Sequence, residues 1–391
     1  GRGAVFEAAM LYYLSQYLEQ SAQDTVWAEA LSGLRLFRYI TFRTAGAAVT
    51  ALLLSWWLGP RVIDWLKRLG FGQHYRDAAH ADGGLEGRVS HKGGTPTMGG
   101  LLIVMVIDLA VLLWAQWNAL TVLTLASLVG LAGLGFYDDY AKIMLQDGRG
   151  VRGKVKLRVQ VLLALFVAGY LWYLPETRKL ITAVIVPFYK HPVTVGGPVL
   201  GMAVTVLTIV GSSNAVNLTD GLDGLAIGCT LIVTSVLLVV TYIAGHAGLA
   251  GYLQVPAVPG AGELTVICGA IFGASLGFLW YNCHPAQVFM GDTGSLALGG
   301  TLGIIAVLSH QPFVLFIAGG VFVAEAVSVM IQVGCFKCYR RFRGVEKRVF
   351  LRTPLHHHFE MLGWHESKIV ARFYILCVLC AVVALASLKM R

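Results

Sequence analysis

Ten predominantly apolar stretches, each near the roughly 20 residues a helix needs to cross hydrocarbon, dominate this chain and constrain its fold more than any other feature. They are Thr44 to Leu58, Met98 to Trp117, Leu120 to Phe136, Val159 to Leu174, Val199 to Val210, Leu225 to Ala244, Leu264 to Trp280, Ser295 to Leu308, Pro312 to Val333 and Ile369 to Leu388. The fifth and eighth are short, which leaves them tilted, extended or partly re-entrant and the count open by one. With 57% hydrophobic and 13% charged residues and a mean hydropathy of +0.70, the 391-residue chain is too apolar for a soluble domain. The expected fold is an all-α polytopic integral membrane protein of about ten spans. No internal repeat or low-complexity tract is visible, and residues Gly1 to Ala9, before Met10, read as a non-native remnant ahead of a single domain over residues 10–391.

A net charge of +9 and a pI near 9.2 could indicate nucleic acid. The basic residues fall between spans, however, and point to anionic lipid and anionic substrates, with no nucleic acid as partner. The loops Gly59–Pro96, Tyr137–Lys156 and Gln332–Lys368 carry 6, 5 and 8 Lys/Arg, against 3, 0 and 0 in Pro175–Gly197, Gly245–Glu263 and Ser309–Gln311. Positive-inside bias puts the first set in the cytoplasm and both termini outside. The segment Gly245 to Glu263, with Pro256 and Pro259, reads as an outer loop or hairpin.

Every polar constellation then lies on the inner face. Asn217, Asp220 and Asp223 recur every three residues in Asn214-Ala-Val-Asn-Leu-Thr-Asp-Gly-Leu-Asp-Gly224, a spacing that lines one face of a helical or near-helical turn, with Gly221 and Gly224 allowing close approach. Asp138 and Asp139 follow the third span. Adjacent residues on a helix point about 100° apart, so the two carboxylates should serve different partners, one a metal and the other a proton or phosphate; alternatively they form a solvated ion-pair cluster. Lys142 is spaced to reach either.

Asp292 sits in a Gly-Asp-x-Gly turn three residues after Phe289, in the segment that begins at Asn282. Several oxygen donors facing one cavity are what Mg²⁺ with a phosphorylated substrate requires. In Thr353-Pro-Leu-His-His-His358, Thr353 is an expected N-cap and Pro354 the first helical residue. Three successive histidines fan out by about 100° steps and cannot share one tetrahedral zinc, so donation to phosphate oxygens fits better. Lys92 opens a Gly-rich turn into the second span, and Asp108 lies within that span without an assignable partner. Of seven cysteines, Cys377 and Cys380 lie inside the last apolar run and read as packing residues; Cys335 and Cys338 receive no role.

Together, Asn-Leu-Thr-Asp-Gly-Leu-Asp-Gly and Pro-Leu-His-His-His resemble the polyprenyl-phosphate N-acetylhexosamine-1-phosphate transferases, over about Phe37 to Arg391. The resemblance implies a cytoplasmic cleft in which undecaprenyl phosphate attacks the β-phosphate of UDP-N-acetylmuramoyl-pentapeptide (UDP-MurNAc-pentapeptide) with Mg²⁺, giving a lipid-linked sugar and UMP. It also implies roles. Asp138 and Asp139 match the aspartate pair, with Asp138 as base or lipid-phosphate contact, and Asp292 matches the magnesium ligand. Lys92, Thr97, Asn217, Asp220, Asp223, Asn282 and Phe289 match nucleoside-sugar contacts, Phe289 on uracil. His356, His357 and His358 match the histidine loop, and Lys142 and Lys156 the basic residues near the phosphates. Bilayer lipids and a second copy of the chain are further expected partners. The competing class, a transporter, predicts acids spread through the membrane depth rather than clustered at one face.

Overall fold

The computed structural model describes residues 11–22, 30–69, 94–145, 150–186, 189, 193, 197–344 and 347–389, and these contain helices and no β-strand. After a peripheral helix α1 (Leu11–Ala22) come α2 (Ile40–Arg68), α3 (Gly100–Trp114), α4 (Ala119–Leu145), α5 (Gly153–Tyr173), α6 (Pro198–Thr219), α7 (Leu225–Gly245), α8 (Gly262–Asn282) and α9 (Gly291–Leu308). The chain ends with α10 (Pro312–Ala318), α11 (Gly320–Arg343), α12 (Leu355–Met361) and α13 (Glu366–Ala386). Among the described residues nine helices are long and apolar enough to cross a membrane, and α3, at 15 residues, supplies a shorter tenth. The protein is an all-α, multi-pass membrane protein.

The core is built on α8 and α9, whose apolar stretches are 78% and 89% buried, whereas α11 is only 22% buried and faces outward. Lipid tails are as apolar as leucine, so helices associate in hydrocarbon by close packing rather than hydrophobic drive, and small residues let backbones approach. Gly269, Gly273 and Gly277 form such a ridge on α8. A β-carbon at Gly273 would strike the Ala48 carbonyl of α2, and the flanking glycines meet Thr44 and Ser55.

The structure differs from the sequence expectation at several boundaries. The short fifth and eighth stretches are neither re-entrant nor truncated: α6 has 22 residues and α9 has 18. Helix α6 continues through Asn214 and Asn217 because their amides find partners inside the bundle, such as Asn214 Nδ2 donating to Gln160 Oε1 at 2.8 Å. The ninth run, Pro312 to Val333, breaks at Gly319-Gly320 into α10 and α11, and α11 continues ten residues beyond Val333 as far as Arg343. In the segment Gly245 to Glu263 a seven-residue helix, Ala247–Leu253, precedes an irregular stretch over residues 254–261, and Glu263 belongs to α8. Helix α2 starts before Thr44, which brings Arg43 inside the bundle. Its guanidinium pairs in bidentate fashion with Glu263 at 2.6 and 2.7 Å, which compensates the burial of both charges.

Candidate active site

The C-terminal ends of α4 and α6 and the N-terminal ends of α5 and α9 meet at one end of the bundle, and most of the expected site residues meet there too. Asp138 and Asp139 ride the last turns of α4; Asp292 stands in the first turn of α9. One carboxylate oxygen from each of the three lies within 4.8 Å of the others. Lys142 Nζ sits 2.7 Å from Asp138 Oδ2 and 3.1 Å from Asp292 Oδ2, and Lys156 Nζ lies 3.2 and 2.9 Å from the same two oxygens. Two ammonium groups thus bridge two carboxylates. Asn217 completes the ring, donating to Asp292 Oδ1 and Ser295 Oγ, each at 2.9 Å.

The aspartate pair divides its partners as the helical offset requires. Asp138 faces the lysines and also accepts the Val151 N–H at 2.7 Å. Asp139 faces α9: its Oδ1 accepts the Asp292 N–H at 3.1 Å, and its Oδ2 accepts the Thr293 N–H at 2.9 Å and the Thr293 hydroxyl at 2.7 Å. Both oxygens of Asp139 are therefore committed to fixing the helix that carries Asp292. Gly291 stands between them with φ +73°, a left-handed conformation that favours glycine, and a β-carbon there would press on Asp139 Oδ2 and Thr97 Oγ1. Thr97 is buried beside this turn, its hydroxyl without a hydrogen bond.

The motif containing Asn217, Asp220 and Asp223 does not present one continuous face. Helix α6 stops at Thr219, residues 220–224 form a turn, and Gly224 adopts φ +80°. Asp220 stays with the site: burial first, then the negative charge of Asp292 and Asp139, push its carboxyl up to about 8, with the Gly291 N–H opposing. Asp223 turns to a second cluster, where its Oδ2 accepts the Ala286 N–H at 3.1 Å and lies 3.2 Å from His284 Nδ1, while its own N–H donates to Glu366 Oε1 at 2.8 Å. The three-residue spacing fails because the helix it assumes has already ended.

Asn282 bonds to backbone groups. It is buried, donates to the Val288 carbonyl at 2.8 Å and accepts the Gly224 N–H at 3.1 Å, tying two loops together. The half-buried Phe289 is held by its backbone, donating to Pro96 and accepting from Gly99. Lys92 lies outside the described residues.

The three histidines fan apart. His356 is fully buried, with Nδ1 3.1 Å from Glu325 Oε2, and its Nε2 faces Gly221, where a β-carbon would clash. His357 Nδ1 lies 2.6 Å from Glu360 on its own helix, and burial pushes the His357 imidazole below its ordinary value with Glu360 opposing. His358 Nδ1 accepts the Leu351 N–H at 3.2 Å. Thr353 does not cap α12; Pro354 occupies the N-cap with extended ψ of 178°, and no side chain bonds the helix end.

Sequence reasoning does not single out Glu325, Thr293, Ser295 or Glu366, which the structure places among the site's partners. Glu325 left the same trace as Asp108, a lone acid within an apolar run; the others are ordinary helix-start residues whose roles depend on distant neighbours.

Residues 120–310 match the family described as Glycosyl transferase family 4. The chain is 45% identical over 383 residues to the phospho-N-acetylmuramoyl-pentapeptide-transferase of Methylacidiphilum infernorum, covering 98% of this chain and 100% of that protein. It is 48% identical over 366 residues to the protein of that name from Solidesulfovibrio magneticus, covering 92% and 96%. With the one from Citrifermentans bemidjiense it shares 50% over 361 residues, covering 91% and 95%.

Proposed function

Because the chain belongs to the phospho-N-acetylmuramoyl-pentapeptide transferase family, we propose that it transfers phospho-N-acetylmuramoyl-pentapeptide from its UDP donor to undecaprenyl phosphate, releasing UMP and forming lipid I. The observation that carries this reading is the carboxylate–lysine ring of Asp138, Asp292, Lys142 and Lys156 at one end of the bundle.

An oxygen of the lipid phosphate attacks the β-phosphorus of the donor; the bond from that phosphorus to the bridging oxygen breaks, and UMP leaves with the oxygen. A phosphate monoester loses its second proton near pH ~6, so the attacking group is already largely a dianion and needs little base catalysis. Asp138 suits this chemistry as an orienting group. Held by two ammonium groups and one N–H, its carboxylate is engaged rather than free to approach phosphorus, which favours direct attack over a covalent aspartyl intermediate. Isolating a phospho-sugar adduct on Asp138 in a single turnover would overturn that preference. Lys142 and Lys156 meet the larger demand, neutralising two phosphorylated reactants and the departing UMP.

Mg²⁺ fits the same residues, since the three converging carboxylates are hard oxygen donors. Asp139 already accepts three hydrogen bonds from α9, so Asp292 and Asp138 are the groups that would hold the ion. Bound there, it would supply charge neutralisation to the diphosphate and the leaving group. Thr97, Asn217 and Asp220, ringing the Gly291 turn, are assigned to the donor, with Phe289 beside uracil. His356 is oriented by Glu325 toward the Gly221 turn that carries Asp220.

Charge bias in the loops supports a cytoplasmic active site, both termini outside and a bacterial inner-membrane location. A homodimer belongs to the same proposal, and the mass of the protein in nanodiscs tests it. Function is tested by supplying undecaprenyl phosphate, UDP-MurNAc-pentapeptide and Mg²⁺ to the purified protein. Release of UMP is expected, with little turnover when UDP-N-acetylglucosamine replaces the donor; no UMP release would remove the enzyme reading.

A further inference from the structure

Beyond Val333, α11 bounds a cavity of about 720 Å³ that residues 348–353 close on the other side. Five lining side chains are cationic, Lys337, Arg340, Arg341, Arg348 and Arg352, and among the described residues no acidic one lines it. Among the described residues none of the five makes an ion pair. The cavity is held in shape by Gln332, whose amide donates to the Phe350 carbonyl at 3.1 Å and accepts the Val349 and Phe350 N–H groups at 2.9 and 3.0 Å. Five cations without an ion-pair partner among the described residues, gathered in a braced concavity, call for a polyvalent anion. Guanidinium forks favour carboxylate or phosphate, and the volume falls within the range of about 300–1,000 Å³ that holds a drug-sized organic molecule rather than a single phosphate.

The cavity wall runs directly into the histidine loop. Its lining residue Thr353 is three residues from His356, no more than about 11 Å along the chain. His356 in turn abuts the Gly221 turn, next to Asp220. Leu351 at the cavity wall is tied to His358.

Resting on the transferase reading, we infer that this cavity receives the carboxylate end of the donor's peptide. A muramoyl group acylates the amino end of the peptide, so the opposite end is a free carboxylate. Five extended residues reach about 17 Å from the sugar, which carries the carboxylate well beyond the diphosphate. Once the diphosphate is anchored, the carboxylate is presented to the arginines at an effective concentration in the millimolar range. The cavity thereby separates this donor from UDP-sugars that carry no peptide.

The test compares wild type with the Arg340→Gln/Arg341→Gln/Arg348→Gln variant, all three side chains being exposed, so that the fold is retained. Two donors are used, UDP-MurNAc-pentapeptide and the same molecule with its C-terminal carboxylate converted to carboxamide. The variant should raise KM for the carboxylate donor about ten-fold with kcat little changed, the signature of lost uniform binding. Wild type should show a similar rise for the carboxamide, and the variant should no longer distinguish the two donors. An unchanged KM, or an equal rise for both donors, overturns the inference. A deficit appearing only when phosphatidylglycerol in the vesicles is replaced by phosphatidylcholine would overturn it too, assigning the cavity to a lipid headgroup. No UMP release by wild type would overturn the transferase reading and this inference with it.

Discussion

Asp139 on α4 accepts the backbone N–H and hydroxyl of Thr293, at 2.9 and 2.7 Å, and so fixes the first turn of the helix that carries Asp292. A carboxylate there satisfies otherwise unpaired N–H groups and opposes the positive end of the helix dipole. Asp139 is therefore a positioning residue. Asp139→Ala should lower kcat by about 100-fold through displacement of Asp292. Asp139→Asn, which keeps an accepting oxygen, should recover part of the loss. Steady-state rates decide, and wild-type kcat in the alanine variant would refute the assignment.

Asp220 gives a pH signature. Its carboxyl is pushed up to about 8 from an ordinary 3.8, so the folded protein keeps a proton that the unfolded chain has released. The native state is thus penalised progressively as pH rises from 3.8 towards 8. In EDTA, Asp220→Asn removes the penalty, and its melting temperature should exceed that of wild type by a margin that widens from about pH 5 to about pH 8 and then levels. A margin independent of pH would contradict the assignment.

At the opposite end of the bundle, Arg43 and Glu263 form a buried bidentate pair, and Glu263 also accepts the Gln116 N–H at 2.8 Å. Arg43→Leu strands a buried carboxylate and should cost about 3–5 kcal/mol. The double variant Arg43→Leu/Glu263→Leu should recover most of that, because both charges then leave together. Unfolding in detergent measures both; equal destabilisation of the two variants would show that the loss lies in packing rather than charge.

Phe289 is held by backbone hydrogen bonds to Pro96 and Gly99, two residues before the Gly291 turn. That placement suits a uracil stack, and Phe289→Ala should weaken UMP binding by roughly 1–3 kcal/mol. Calorimetric titration with UMP checks it, and unchanged affinity would exclude the stacking role.

The spans were legible because apolar length alone specifies a membrane helix. Their ends were not: α6 absorbs Asn214 and Asn217 only because Gln160, Asp292 and Ser295 await them on other helices. Locally readable spacing identified Lys142 as a partner for Asp138. The contacts that assemble the site, Asp139 with Thr293 and His356 with Glu325, join residues 154 and 31 positions apart, and no local period encodes them. Asp223 shows the converse, where a genuine period of three misled because Thr219 ends the helix.

Transfer is assigned to the ring around Asp292. UMP release measured in nanodiscs for wild type and for Asp292→Asn, with matched melting curves, tests this assignment most directly. Wild type should release UMP in a Mg²⁺-dependent manner, and the variant should lose at least about 1,000-fold. Release by folded Asp292→Asn at the wild-type rate would contradict the assignment.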